Sequence, residues 1–294
     1  MVKSPRAALG FPITEMFGYP PLAQSPEAVA SHAQHLCPFA GNFCEKYRQY
    51  GLGYCSVTYA AEADKGQRKT YAVCDHRLDG PPIQAVLADY FDNSRPVRVA
   101  SEVVLSEPRI SFDYVAFNEA DGAIEDVIAI ETQAVDLRGG GVGPAVRAWE
   151  DGRTPEWRRY FADEAAKKGR KDTVAYGVNM GNIYKRLGLQ TAEKGIYLKS
   201  IGVRLYVVMQ DLPFLYLRNR IRFEETEDAA WDITFITFDY VGPDDQDGKL
   251  GFSRCRTVRT TLASFIVAMA ANNRVGGGLR TEFLRQVQIK ADQV

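Results

Sequence analysis

The stretch ISFDYVAFNEADGAIEDVIAIETQAVDL, residues Ile110–Leu137, decides how this chain is read. Two apolar, β-branched and aromatic runs, Ile110–Asn118 and Asp126–Leu137, flank the short Gly-containing segment EADG. That pattern predicts a β-hairpin. Side chains alternate along a strand, so Glu131 and Gln133 point to one face. Asp113 on the first strand could then bring a second carboxylate close to Glu131. Two carboxylates a few ångströms apart repel unless a cation sits between them, and magnesium, which takes oxygen ligands and keeps several waters, is the natural occupant. Such an ion lowers the pKa of a bound water and offsets charge building on a scissile phosphate, with Gln133 placed to hydrogen-bond that water. An acid and an amide inside an otherwise apolar strand need such a reason, because burial without partners is costly. On its own, D…E-x-Q spacing has low specificity.

Outward from the hairpin, RGGGVG (Arg138–Gly143) reads as a flexible loop. Helical stretches are expected around Trp157–Lys168 and Asn179–Glu193. The β-branched run VRLYVVMQ (Val203–Gln210) and the alternating WDITFITFDYV (Trp231–Val241) read as strands, and TLASFIVAMAANN as a helix. The sum is an α/β fold, a mixed central sheet flanked by helices. The first 90 or so residues, rich in Pro, Gly and Cys, read as an irregular module, with helices at Pro26–Leu36, capped by Ser25, and at Ile83–Phe91. SRPVR (Ser94–Arg98) is the expected boundary, dividing the chain into 1–93 and 94–294.

Four of the five cysteines, Cys37, Cys44, Cys55 and Cys74, fall in that first region at intervals of six, ten and eighteen residues. In a reducing compartment such thiols are better suited to a tetrahedral zinc or iron than to disulfides. Gly and Pro beside them, in CPFAGNFC and GLGYC, supply the chain reversals that four converging ligands need. His32, His35 and His76 are near enough in sequence to replace one thiol. A closed four-sulfur shell leaves no position for substrate, so the expected role is structural. Cys255 stands apart and is expected to pack in the core.

The chain has 294 residues, 46% of them apolar, and a net charge of −1. Neutrality does not announce nucleic-acid binding, yet basic residues cluster at Lys167–Lys171, at Arg153/Arg158/Arg159, at Arg218/Arg220/Arg222 and at Arg254/Arg256/Arg259. The apolar run near Leu262–Ala271 is about half the length of a membrane span, and the N-terminus lacks a signal-peptide core. A cytoplasmic location without membrane association is expected. No GxGxxG, Walker, HExxH or GxSxG motif is present.

At these residues the chain resembles the NotI-like restriction endonucleases, members of the PD-(D/E)XK nuclease class. The matching pieces are SFDYVAF with IETQAVDLRG (Ile130–Gly139), the four-cysteine region CPFAGNFC…GYC…VC, and NMGNIYKRLGLQTAEKG (Asn179–Gly195) followed by VRLYVVMQD. In that family the motif lysine is replaced by glutamine. The resemblance implies Asp113, Glu131 and Gln133 as the catalytic set, joined by Glu102 or Glu107, with Glu102 preferred. It implies Mg2+ at Asp113 and Glu131, a structural iron at Cys37, Cys44, Cys55 and Cys74, and a homodimer. It further implies type II cleavage of double-stranded DNA at a GC-rich palindrome, leaving 5′ overhangs. The chain departs from the family in having Phe112 before Asp113 instead of proline, which keeps Asp126 open as an alternative. A glutamine cannot offset charge at the phosphate, so a second metal or another cation must, with Lys185, Arg186 and Lys199 as candidates. Two other readings remain: a nuclease of DNA repair or mobile-element processing, and a non-catalytic, metal-stapled DNA-binding protein.

Overall fold

The computed structural model describes residues 10–60, 68–92, 94–138, 141–171, 174, 176–243, 249–272 and 279–291. Asn93, at the expected domain boundary, Gly139 and Gly140 of the expected loop, and Asn273 lie outside them.

The hairpin forms as read. Strands β7 (Arg109–Ala120) and β8 (Ala123–Gln133) are joined by Asp121 and Gly122, at φ 53° and 80°. Two successive positive-φ residues make the primed turn whose twist matches that of the paired strands. A register shift between Phe117 and Glu119 adjusts the pairing near the turn. Strand β6 (Val97–Ser106) pairs with β7 on the outer side. On the inner side β8 runs parallel to β11 (Arg204–Gln210), itself parallel to β12 (Ile233–Pro243), which pairs antiparallel with β13 (Leu250–Thr260). The result is a mixed six-stranded sheet in the order β13-β12-β11-β8-β7-β6.

Alternation along the central strands supplies both faces of this sheet. Ile128, Ile130, Tyr206, Val208, Ile236 and Phe238 pack toward Ile83 and Val86 of helix α3 (Pro81–Tyr90). Ala129, Leu205, Val207, Met209, Ile233 and Phe235 pack toward helices α7 (Gly188–Ser200), α8 (Asp211–Arg220) and α9 (Leu262–Asn272). Glu131, two residues beyond Ala129, therefore opens toward the α7 side. Helix α6 (Met180–Asn182) runs into α7 through a single π turn, Ile183–Leu187. Helices α4 (Gly143–Glu150) and α5 (Trp157–Lys167) pack on the same core, and α10 (Leu279–Ala291) follows α9. Among the described residues, no helix is long and apolar enough to cross a membrane.

The N-terminal region is more regular than its composition predicts. Strands β1 (Ile13–Met16), β4 (Tyr54–Ala60) and β5 (Arg68–Ala72) form a three-stranded antiparallel sheet. Along β4, Cys55, Ser56, Val57 and Tyr59 are all buried, so the central strand of this sheet is covered on both faces over Cys55–Val57. Between β1 and β4 lie helix α1 (Pro26–Gln34), the two-residue strands β2 (Leu36–Cys37) and β3 (Asn42–Phe43), and α2 (Glu45–Tyr50). Ser25 caps α1 by accepting from Ala28 N, as its position predicts. Ile13, Val57 and Tyr71 share one continuous core with Leu205, Phe235 and Phe265, so the two halves of the chain bury apolar surface against each other. Arg77 fastens them further: buried, it pairs with Glu15 at 3.1 Å and donates to Leu250 O at 2.6 Å. Two short strands, β9 (Leu137–Arg138) and β10 (Gly177–Val178), pair beside the central sheet.

Close packing beneath the N-terminal sheet yields a test. A Cβ placed on Gly53 would fall 2.1 Å from a ring carbon of Phe17, which is buried against His35, Tyr47 and Trp149. Overpacking of this kind costs about 1–3 kcal/mol. Gly53→Ala is expected to lower the urea midpoint accordingly; an unchanged midpoint would contradict this contact.

Candidate active site

The pairing of β7 with β8 is regular to Tyr114↔Ile130, and one further step along that register sets Asp113 opposite Glu131. Beyond Gln133, β8 leaves the sheet. Ala134 N donates to Asp75 Oδ1 at 2.8 Å and Val135 N to Ala72 O at 2.8 Å. The expected strand to Leu137 therefore stops at Gln133, because the N-terminal sheet takes over its hydrogen bonding.

Asp113, Glu131 and Gln133 line one cleft of about 240 Å³, together with Asp75, Arg186 and Lys194. That space accommodates a hydrated cation. Asp113 Oδ2 accepts from Thr132 N at 2.8 Å and from Thr132 Oγ1 at 3.2 Å. Glu131 Oε2 accepts from Lys194 Nζ at 2.5 Å, whereas Glu131 Oε1 is buried and has no partner. Gln133 Nε2 donates to Ala134 O at 2.6 Å. Burial, reinforced by Asp113, pushes the Glu131 carboxyl up to about 7 despite Lys194. Asp75 is also raised, chiefly by burial and then by Asp113, against the bond from Ala134 N. Negative charge is crowded here in a way a divalent cation would relieve. As the side chains are placed, however, no three His, Cys, Asp or Glu donors among the described residues converge to hold an ion.

Glu102 lies elsewhere. Its neighbours Ser101 and Val103 pair with Tyr114 and Phe112, which puts Glu102 opposite Asp113 on the outer strand, at φ 53°. It lines an adjoining cavity of about 680 Å³ that shares Asp75, Asp113 and Thr132 with the cleft, but not Glu131. Glu107 lines neither. Asp126 is bonded to Asn118 near the other end of β8 and does not line the cleft, which leaves Asp113 as the partner of Glu131.

Two cleft residues were not foreseen from the sequence. Asp75 follows Cys74, whose conspicuousness hides it. Lys194 lies on the helix face of Leu187 and Gln190, a signal present in the spacing alone. Of the expected cations, Arg186 reaches the cleft but pairs with Asp136 at 3.0 Å, and Lys199 pairs with Asp232 at 2.7 Å outside it; Lys185 is not among the lining residues.

The four N-terminal thiols are all free, and Cys37, Cys44 and Cys55 are buried. Gly18 N donates to Cys55 Sγ at 3.4 Å and Ala40 N to Cys37 Sγ at 3.5 Å. Cys37 feels Cys44, and Cys55 feels both Cys74 and Cys37, so the four share one region. Burial raises Cys37, lifts Cys55 well above the ordinary thiol range and pushes Cys74 up to about 11. As placed, however, no three of these sulfurs, nor any other three His, Cys, Asp or Glu donors among the described residues, converge to hold an ion. The histidines near them are engaged otherwise: His32 bonds Met16 O, His35 stacks on Tyr47, and His76 bonds Asp79. Cys255, expected in the core, is exposed on β13, where Arg254, Arg256 and Arg259 also lie. Those arginines pair with Asp89, Asp211 and Asp89, which ties them to the fold. Arg218 pairs with Glu225 and stacks on Phe223.

The sequence matches no protein-family model and no curated protein.

Proposed function

We propose that the chain is a Mg2+-dependent endonuclease of the PD-(D/E)XK type, acting on double-stranded DNA as a homodimer at a GC-rich palindrome and leaving 5′ overhangs. The observation that carries this reading is Glu131: a carboxylate buried at a strand end beside Asp113, with one oxygen unpartnered, facing a cleft of hydrated-ion size. Asp113 and Glu131 would hold the ion, which when bound supplies a more acidic water and positive charge at the phosphate. Gln133, anchored through its amide nitrogen, keeps its carbonyl for orienting that water. The thiols would hold an iron or zinc whose role is to brace the segment that ends in Asp75.

Digestion of a plasmid of known sequence with Mg2+, followed by mapping of the ends, tests the reading directly. Discrete fragments with 5′ overhangs at a symmetric site are expected. A ladder of unrelated ends would favour a repair-type nuclease, and no cleavage on a broad panel of duplexes would overturn the proposal.

Asp75 has a positioning role in this scheme, since it holds the backbone immediately after Gln133. Loss of such supporting groups reduces activity by about 10–100-fold. Asp75→Ala is expected to slow single-turnover cleavage by that factor, and Asp75→Asn, which keeps an acceptor for Ala134 N, to restore most of it. Equal rates for wild type and Asp75→Ala would contradict the role.

A further inference from the structure

We infer that Lys194 is the cation of this active site: a catalytic lysine delivered from helix α7, not from the strand that carries Glu131 and Gln133. The inference rests on the endonuclease reading above.

Phosphodiester hydrolysis here would form a bond from the water oxygen to phosphorus as the bond from phosphorus to O3′ breaks. The water gives up a proton to solvent and the departing O3′ takes one from solvent, leaving a 5′-phosphate and a 3′-hydroxyl. Negative charge builds on the phosphoryl oxygens and must be met by fixed positive charge. Gln133 is neutral, and its amide nitrogen is committed to Ala134 O. The strand motif therefore lacks a cation of its own.

Lys194 supplies one at the right place. Its Nζ lies 2.5 Å from Glu131 Oε2, and the two side chains are only 12% and 11% exposed. Taking both charges out of water is costly, and an apolar pair would serve the fold as well. A buried ion pair that opens onto a polar cleft accordingly marks a working site. Nor is the pair self-sufficient, because Glu131 Oε1 is left without a partner. Lys194 acts on the phosphoryl oxygens as a point charge.

Local structure fixes the ammonium. Leu187, Gln190 and Lys194, at helical spacing, form one wall of the cleft, just past the π turn where α6 runs into α7. Such turns recur at functional sites because they re-aim the following side chains. The Phe112 ring lies 5.6 Å from Nζ on the strand side, adding an apolar flank and a favourable face for the charge. Arg186 is the competing cation, but Asp136 holds its guanidinium and its side chain is 57% exposed.

The test compares the full-length wild type with Lys194→Met, Lys194→Arg and Arg186→Met on plasmid DNA of known sequence. Single-turnover cleavage is read in Mg2+ and DNA retention in Ca2+. Lys194→Met is expected to lose roughly 10³-fold in rate, in keeping with removal of a group aimed at transition-state charge. Its DNA affinity in Ca2+ should change less than about threefold, and Lys194→Arg should recover part of the rate. Cleavage by folded Lys194→Met at the wild-type rate would overturn the inference, as would a large loss confined to Arg186→Met. If Lys194→Met fails to fold, Lys194→Gln, which retains a donor to Glu131, carries the same comparison. Absence of cleavage by the wild type itself would remove the underlying reading, a result distinct from an active Lys194→Met.

Discussion

Glu131→Ala is expected to reduce Mg2+-dependent cleavage by roughly 10³-fold or more while DNA retention persists, since several kcal/mol of charge stabilisation are lost with an ion ligand and each 1.36 kcal/mol is about a factor of ten. Glu131 stands one residue past the last β7–β8 pair while still paired to β11, with Asp113 next in register and with a buried, unpartnered Oε1. Removing it leaves Asp75, Asp113 and the Arg186-paired Asp136 as the remaining acids of the cleft and frees Lys194 from its partner. Two consequences separate a catalytic role from a structural one. DNA binding measured with Ca2+ should hold or tighten, because one negative charge facing the phosphates is gone. Raising Mg2+ should restore some rate to Glu131→Asp, which keeps a carboxylate on a shorter stem, and none to Glu131→Ala. Substantial cleavage by Glu131→Ala would remove Glu131 from the site and the endonuclease reading with it.

Part of this centre was legible in one dimension, because a hairpin and the period of two along a strand are local features. The hairpin put Asp113 and Glu131 on adjacent strands, but the turn at Asp121–Gly122, with Ala120 opposite Ala123, would by itself set Asp113 opposite Ile130. The register shift between Phe117 and Glu119, which spacing does not announce, moves the pairing one residue and brings Asp113 opposite Glu131. Gln133 followed from the period of two. What the sequence could not deliver was anything brought in by a long-range crossing. Asp75 reaches Ala134 across 59 residues and Lys194 reaches Glu131 across 63, distances over which no periodicity carries information. Strands β6 and β13 were missed for a different reason. Their charged residues imitate solvated loops, and in β13 the arginines are satisfied by Asp89 and Asp211, which lie on other elements. The boundary at 93/94 marks a change of composition, whereas the apolar core runs across it, because side chains from both segments bury the same surface.

Cys55→Ser should lower bound iron or zinc and thermal stability together. Cys55 sits in the middle of the N-terminal sheet, 4% exposed, and its sulfur receives the Gly18 amide. Protonated, it is a small apolar group in a core; with a cation, four thiolates would link β2, the start of α2, β4 and the turn before Asp75. Serine is a poor ligand for a soft ion and its hydroxyl is costly to bury without full hydrogen bonding. A loss of about 3–5 kcal/mol corresponds to a fall in Tm of roughly 10 °C for a chain of this size. Metal analysis of purified wild type is expected to give one ion per chain, and of Cys55→Ser close to none. Because Cys74 immediately precedes Asp75, and Asp75 holds the backbone after Gln133, Cys74→Ser should lower the cleavage rate as well as the metal content. Cys44, which begins α2 and is remote in sequence from the cleft residues, should affect metal and stability with less effect on rate. Equal metal content in wild type and Cys55→Ser would leave the thiols as core residues and cut the proposed link between that ion and the active site.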